Sequence, residues 1–347
     1  MTNIPDHEPP LPAGVDLGFE RTVPRELAHR RQLGEVFVAD SARVGEGEDD
    51  FVMSFQIPRA HSLWSDRDPA HHDPFASAEA ARQAIFVMLH RHVGVEVGLP
   101  FSLQRISFRV EDPAAYRDDD RSPLEGFARY RIVERSRRGA DVTGMRLAGT
   151  IGIAGRRAMT LTAQLAFMSR ADYDVFRAFQ RGQKPVATAR ATPVTRLAPA
   201  AVGRSIPRNV VIGTPRHAQG GGEPLLALDQ GHPAFFDHDY DHIPGPLMAE
   251  AMRQAAVAAA DAAGLARPAD ALAVGLTAKF LDFAEFEADL VCEAKVGDGT
   301  DDEGRLPVAV VLRQFGKPVV EGRVDLLPDP RRSQGRRVPA ATATEED

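Results

Sequence analysis

Residues 78–84 read Ala-Glu-Ala-Ala-Arg-Gln-Ala, and residues 249–255 read Ala-Glu-Ala-Met-Arg-Gln-Ala. Each copy opens a helical run, and each has a histidine 18 residues before its glutamate: His61 before Glu79, His232 before Glu250. Histidine and glutamate are both repeated at an offset of 171 residues. That period far exceeds the roughly 20–50 residues of a solenoid unit. The repeat therefore predicts two related halves, each with its own helix, in a chain of 347 residues.

The surrounding pattern supports this. Short apolar runs at 35–39 and 51–57 predict strands, the second stopped by Pro58. A polar loop follows, and from Ser77, a candidate N-cap, apolar residues recur at spacings of three and four until Gly94. Strands are then predicted at 101–110, 127–134, 145–153 and 159–167, the last pair flanking the turn signal Ala-Gly-Arg-Arg. Residues 171–182 predict a short amphipathic helix, and 183–204 a linker rich in Pro, Ala, Thr and Arg. The second half repeats the order: strands at 209–212 and 224–228, a polar loop, a helix from about 246 to 263 closed by Gly264, and strands near 272–281, 286–296, 306–313 and 318–327. The second helix is almost entirely small at 255–263, which lets a curved sheet approach it closely.

The expected fold is thus α+β, a tandem or double hotdog, each half a curved antiparallel sheet wrapped around a long central helix. The expected divisions are a flexible segment at 1–24, hotdog domains at 25–170 and 205–327, the short helix and linker at 171–204, and a flexible tail at 328–347. The molecule would be a monomeric pseudo-dimer or a homodimer. Net charge is −7, which argues against nucleic-acid binding as the main function. The single Cys292 cannot form an internal disulfide and sits in an alternating strand pattern, so a buried structural thiol in a cytoplasmic protein is expected. No signal peptide is apparent and no apolar run approaches the ~20 residues of a membrane span.

The chemistry gathers at the two helix starts. Residues three and four apart share a helix face, so Glu79, Arg82 and Gln83 lie together, as do Glu250, Arg253 and Gln254. Such groups on a helix otherwise destined for burial need partners or a purpose. Either the pairs tie each helix to its sheet, or they serve catalysis. Free N–H groups at a helix start can polarise a thioester carbonyl, a carboxylate or imidazole can move a proton, and arginine suits phosphate or carboxylate. His61 and His232 are singled out by the repeat. The loop at 232–242 holds three histidines and three aspartates, but no ligand pair on a rigid element, and no metal is expected. Nucleophile-elbow, phosphate-loop and dinucleotide motifs are absent, and no cofactor is required.

The segment Phe235-Phe-Asp-His-Asp-Tyr-Asp-His-Ile-Pro-Gly-Pro-Leu-Met-Ala-Glu-Ala-Met-Arg-Gln-Ala255 resembles the A-factor biosynthesis hotdog proteins, the γ-butyrolactone synthases of actinobacterial signalling. So do Arg30-Arg-Gln-Leu-Gly-Glu-Val-Phe-Val, Pro58-Arg-Ala-His and Asp73-Pro-Phe-Ala-Ser-Ala-Glu-Ala-Ala-Arg-Gln-Ala. The similarity spans about residues 25–327. More distantly, 244–254 resembles the helix start of hydroxyacyl-ACP dehydratases, whose histidine carries to His238. Those enzymes usually have a small residue where this chain has Arg253 and Arg82.

The resemblance implies an acyltransferase that moves a β-ketoacyl group from an acyl carrier protein or CoA thioester to the hydroxyl of dihydroxyacetone phosphate. Glu79 or Glu250 would be the general base, and Arg82 or Arg253 would hold phosphate or a developing oxyanion. His61, His232 and His238 are further catalytic candidates. Gln83, Gln254, Gly245, Trp64 and Phe236 are the candidate substrate contacts. Glu250 and Arg253 rank first, because Pro-Gly-Pro precedes their helix, and Glu79 second. In hotdog dimers sites form between the halves, so His61 is expected near the helix of Glu250, or His232 and His238 near that of Glu79. The alternatives are a 3-hydroxyacyl-thioester dehydratase, hydratase or thioesterase, and a non-catalytic acyl- or lactone-binding regulator.

Overall fold

The computed structural model describes residues 11, 14–45, 49–66, 70–139, 141–216 and 222–328. Of the proposed flexible segment at 1–24, residues 1–10, 12 and 13 lie outside these, as does the tail at 328–347 apart from residue 328. Residues 14–24 are described and run along the first half, with Leu17 and Val23 buried and the Val23 N–H donating to the Val38 carbonyl.

The first half comprises β1 (Val38–Arg43), β2 (Asp50–Ile57), α1 (Pro74–Met88), β3 (Phe101–Val110), β4 (Leu124–Arg138), β5 (Asp141–Ile153) and β6 (Arg156–Phe167). Then come α2 (Arg170–Gly182) and β7 (Val194–Arg196). The second half adds β8 (Ile212–Pro215), β9 (Leu225–Leu226), α3 (Gly245–Ala262), β10 (Leu272–Phe280), β11 (Val291–Val296), β12 (Leu306–Gln314) and β13 (Lys317–Leu327). The strands form one sheet in the order β1-β2-β4-β5-β6-β3-β10-β13-β12-β11-β9-β8-β7. Read outward from the centre, both halves have the same strand order, with β7 as an extra outer strand. Antiparallel pairing of β3 with β10, Arg109 opposite Gly275 and Arg105 opposite Lys279, fuses the halves into a pseudo-dimer within one chain.

Helices α1 and α3 are buried along most of their length, as helices wrapped by a sheet must be. Ala80, Ala81 and Ala84 on α1 and Ala251, Ala255, Ala256 and Ala260 on α3 let strands approach closely. Strand alternation supplies the other side: Leu306, Val308, Val310, Leu312 and Gln314 of β12 are buried, and the residues between them are less so. Gly94 and Gly264 close the two helical runs at φ of 84° and 70°, a left-handed conformation that glycine adopts without steric cost. The two hairpin turns, Ala154-Gly155 and Phe315-Gly316, each place two successive residues at positive φ, as a two-residue hairpin requires.

Several expectations shift. The cap of α1 is Asp73, whose carboxylate accepts from the Phe75 N–H at 3.0 Å, with Pro74 pre-setting the first turn. Ser77 lies inside that turn and hydrogen-bonds the Pro74 carbonyl and Tyr116 hydroxyl instead. The first strand begins at Val38, because Leu33–Glu35 forms a 3-10 turn, and Asn209 likewise ends a 3-10 turn before β8. The stretch read as a linker contains β7 and a 3-10 turn at Pro199–Val202. On α2 the charged face turns inward: Arg177 pairs with buried Glu285 and with Asp241, while Val175 and Phe179 face outward. A buried carboxylate must be paired, and that requirement outweighs the helix's apolar stripe. Cys292 is fully buried on β11, and burial pushes its thiol up to about 12.

Candidate active site

The repeat is a pair of matching hydrogen-bonded clusters. On α1, Arg82 donates from Nε and Nη2 to the Glu79 carboxylate at 2.8 and 2.9 Å. On α3, Arg253 does the same to Glu250 at 2.9 and 2.6 Å. Gln83 donates to Glu79 and to the Glu35 carbonyl, and its own oxygen accepts from the Phe37 N–H. Gln254 likewise bonds Glu250, the Asn209 carbonyl and the Val211 N–H. Each glutamate is completed by a second arginine from the segment before the first strand of its half: Arg30 on Glu79, Arg204 on Glu250.

These carboxylates are saturated. Burial pushes Glu79 upward, but Arg30 and Arg82, with the bonds from Arg82 and Gln83, hold it at about 2. Glu250 is held at about 2 in the same way by Arg204, Arg253 and Gln254. A carboxylate so acidic, with its lone pairs taken, is a poor proton acceptor near neutral pH.

His61 and His232 are also alike. The Leu63 and Trp64 N–H groups donate to Nδ1 of His61, and the Ala234 N–H to Nδ1 of His232. Each ring therefore carries its proton on Nε2, which faces the Glu35 carboxylate at 3.3 Å in one case and Asn209 Oδ1 at 3.1 Å in the other. Burial, then Arg208, lowers His232 to about 4. Both rings are buried braces of their loops, and Trp64 packs beside His61. Asp66 and Asp237, again 171 residues apart, pin those loops to the opposite half: Asp237 accepts from the Arg31 N–H at 2.7 Å, Asp66 from the Ser205 N–H at 2.8 Å.

The halves therefore interlock as a hotdog dimer would. The loop of His61 reaches the α3 cluster through Arg204, which donates to the Leu63 and Asp66 carbonyls. The loop of His238 lies beside the α1 cluster, where Arg82 and Arg30 act on it electrostatically.

Among the described residues, the α1 cluster borders a cavity through Arg82. A space of about 710 Å³ is lined by Arg82, His29, His238, Tyr240 and Gly245, with an apolar wall including Phe86, Leu103 and Ile106. Arg253, Glu250 and Arg204 are almost fully buried and line no such space. The cluster ranked second from the sequence, that of Glu79 and Arg82, is thus the one beside this cavity. His238 is half-buried against Tyr240, and its Nδ1 is buried without a hydrogen-bond partner among the described residues. Burial first, then Arg82 and Arg30, lowers it to about 4, so its ring is neutral at physiological pH. Trp64 and Phe236 are not among the cavity's lining residues; Phe236 packs on Phe286 and Tyr240.

The histidine- and aspartate-rich loop disperses its groups. His232 faces Asn209, Asp237 the Arg31 backbone, and Asp241 the chains of Arg177 and Tyr173. Among the described residues, no cluster of three potential ligands is placed to hold a metal ion. Among the same residues, no helix is long and apolar enough to cross a membrane.

Arg30, Arg204, Asp66, Asp73 and Asp237 were missed as site residues. The repeat could have found most of them. Arg30 and Arg204 stand 174 residues apart, as do Glu35 and Asn209, because the second half is three residues shorter between its first strand and its histidine.

Two matching halves, each a curved sheet around a buried helix, define a double hotdog, and sequence comparison places it further. The A-factor biosynthesis hotdog domain (AfsA) matches residues 14–169 and 186–328, and the chain belongs to that family. A 2-oxo-3-(phosphooxy)propyl 3-oxoalkanoate synthase of Streptomyces virginiae is 33% identical over 237 residues, 68% of this chain and 76% of that protein. One from Streptomyces griseus is 29% identical over 301 residues, 85% of this chain and 92% of that protein. Among solved structures, the 12:0-ACP thioesterase of Umbellularia californica aligns with a TM-score of 0.45 and 14% identity, over 81% of this chain and 94% of that one.

Proposed function

We propose that this protein transfers a β-ketoacyl group from a thioester to the hydroxyl of dihydroxyacetone phosphate, in the cavity beside α1. The observation that carries the reading is the pairing, in one cavity, of an apolar wall with the Arg82 guanidinium and a neutral imidazole at His238. The name of the relatives supports it, since a 2-oxo-3-(phosphooxy)propyl 3-oxoalkanoate is the ester of those two reactants.

In this reading His238 takes the hydroxyl proton as the acceptor oxygen attacks the thioester carbonyl. The C–O bond forms, the C–S bond breaks, and the proton passes to the departing sulfur as free thiol. The apolar wall holds the acyl chain, in a volume ordinary for a small-molecule site. Arg82 brings positive charge to the reacting end, and Glu79 with Arg30 fixes its orientation as a positioning pair. The product's methylene, activated by two carbonyls, then adds to the acceptor ketone, forming a C–C bond, and loss of the ketone oxygen as water gives a butenolide phosphate. The donor is an acyl carrier protein or CoA thioester.

Purified protein given a β-ketoacyl thioester should release thiol only when dihydroxyacetone phosphate is present, with the phosphorylated ester or butenolide detected by mass spectrometry. Thiol release independent of the acceptor would make it a thioesterase instead.

A further inference from the structure

We propose that Asp73 is a built-in stand-in for the substrate's phosphate: its carboxylate fills the α3 cluster, and the matching place beside Arg82 Nη1 is where the acceptor's phosphate binds. This rests on the reading of the protein as a transferase to a phosphate-bearing acceptor, and adds where that phosphate sits and why one cluster is closed.

The two arginines hold their glutamates in the same pose, through Nε and Nη2. They differ in what faces the remaining nitrogen. Arg253 Nη1 lies 3.5 Å from Asp73 Oδ2, which also lies 4.0 Å from Arg204 Nη2. Arg82 Nη1 has no hydrogen bond or ion pair among the described residues, and its side chain lines the cavity. The residue 171 positions after Asp73 is Pro244. Both are helix N-caps with nearly the same backbone, φ −72° and ψ 119° for Asp73, φ −65° and ψ 143° for Pro244. The fold thus presents a carboxylate to one cluster and withholds it from the other.

The charges follow. Counted by ion pairs among the described residues, the α3 cluster joins two guanidiniums to two carboxylates, Arg204 and Arg253 to Glu250 and Asp73. Counted the same way, the α1 cluster joins two guanidiniums, Arg30 and Arg82, to the single carboxylate of Glu79, with Arg82 at the cavity wall. A cation in so enclosed a place calls for an anion. The start of α3, which has no side-chain cap, borders the same cavity through Gly245 and Pro246, and a helix N-terminus favours negative charge.

Pro244→Asp tests this, because aspartate is a favoured N-cap and Pro244 already has the required backbone. Pro244→Asn is the neutral control. Binding of inorganic phosphate and of dihydroxyacetone phosphate would be measured by calorimetry on wild type and both variants, with thermal melting to check folding. The added carboxylate should compete for Arg82 and weaken both ligands at least about tenfold in Pro244→Asp, while Pro244→Asn stays within about twofold of wild type. Equal binding by the two variants, or no phosphate binding by wild type, overturns the assignment. The transferase reading fails separately: if phosphate binding follows this pattern but wild type transfers no acyl group, the anion seat stands and the reaction falls. If wild type transfers acyl groups and Pro244→Asp keeps its KM for the acceptor, the seat falls and the reaction stands.

Discussion

Glu250→Gln should destabilise the protein strongly at neutral pH and only weakly in acid. Glutamine has the shape of the protonated acid, so the variant isolates the charge. Burial pushes the Glu250 carboxyl up, yet Arg204 and Arg253 bring it from its ordinary 4.5 down to about 2. A carboxylate whose folded value is depressed gives stability that is present above its unfolded value and lost as pH falls through the folded one. The window here runs from 4.5 down to about 2. The shift corresponds to about 3 kcal/mol at pH 7, falling to about 1 kcal/mol at pH 3. That agrees with the ~3–5 kcal/mol expected when one partner of a buried pair is removed. Against a typical total of about 5–15 kcal/mol the variant should still fold. Urea unfolding of both proteins, followed by circular dichroism from pH 7 to pH 3, gives the difference directly. A gap that stays constant across this range would show that the charge of Glu250 is not what stabilises the cluster, and a gap near zero would show that its ion pairs contribute nothing.

His238→Ala should lower kcat/KM for acyl transfer by roughly 10²–10⁴-fold, the usual contribution of a general base. Because burial, Arg82 and Arg30 hold this imidazole at about 4, wild-type activity should persist through mildly acidic pH and fall as pH drops through about 4; a pH–rate profile with its acid limb near the ordinary histidine value would exclude this base. Leu103→Trp places a large ring in the cavity wall and should raise KM for long β-ketoacyl thioesters more than for short ones. Equal effects across a chain-length series would mean that the acyl chain lies elsewhere.

The sequence made the architecture readable because its period was long and its punctuation unambiguous. Gly94 and Gly264, the paired turns at Gly155 and Gly316, and alternation in the strands all follow from local backbone rules. Boundaries moved where a side chain overrode the local pattern. Asp73 captured the start of α1 from Ser77, since proline at 74 removes one N–H and the carboxylate reaches the next free one. The orientation of α2 was hidden, because it depends on Glu285, over a hundred residues away, needing a cation. The site was legible as a set of residue types but not as a set of partners. Arg30 and Arg204 sit in segments without a clear period, and nothing local marks them as the second cations on Glu79 and Glu250.

The repeated motif also changes meaning once its partners are known. Glutamate, arginine and glutamine appear in both halves, and in both the glutamine ties its helix to the backbone entering the first strand. The same hydrogen-bonded device is present beside the cavity and in a cluster that does not line it, so bracing the helix accounts for it in both halves. It braces a buried helix, which has few other polar contacts with the sheet around it. Function must then come from whatever breaks the symmetry. Three differences coincide at one end of the molecule: Pro244 in place of an aspartate, Arg82 with no second carboxylate partner among the described residues, and His238 on the loop that faces it. A duplicated fold provides that freedom. One cluster can be closed by its own carboxylate and stabilise the pseudo-dimer, so that the other can keep an unfilled charge, which on its own would cost stability. On this view Glu79 acts by holding Arg82 in place for an incoming anion, just as Glu250 holds Arg253 beside the Asp73 carboxylate.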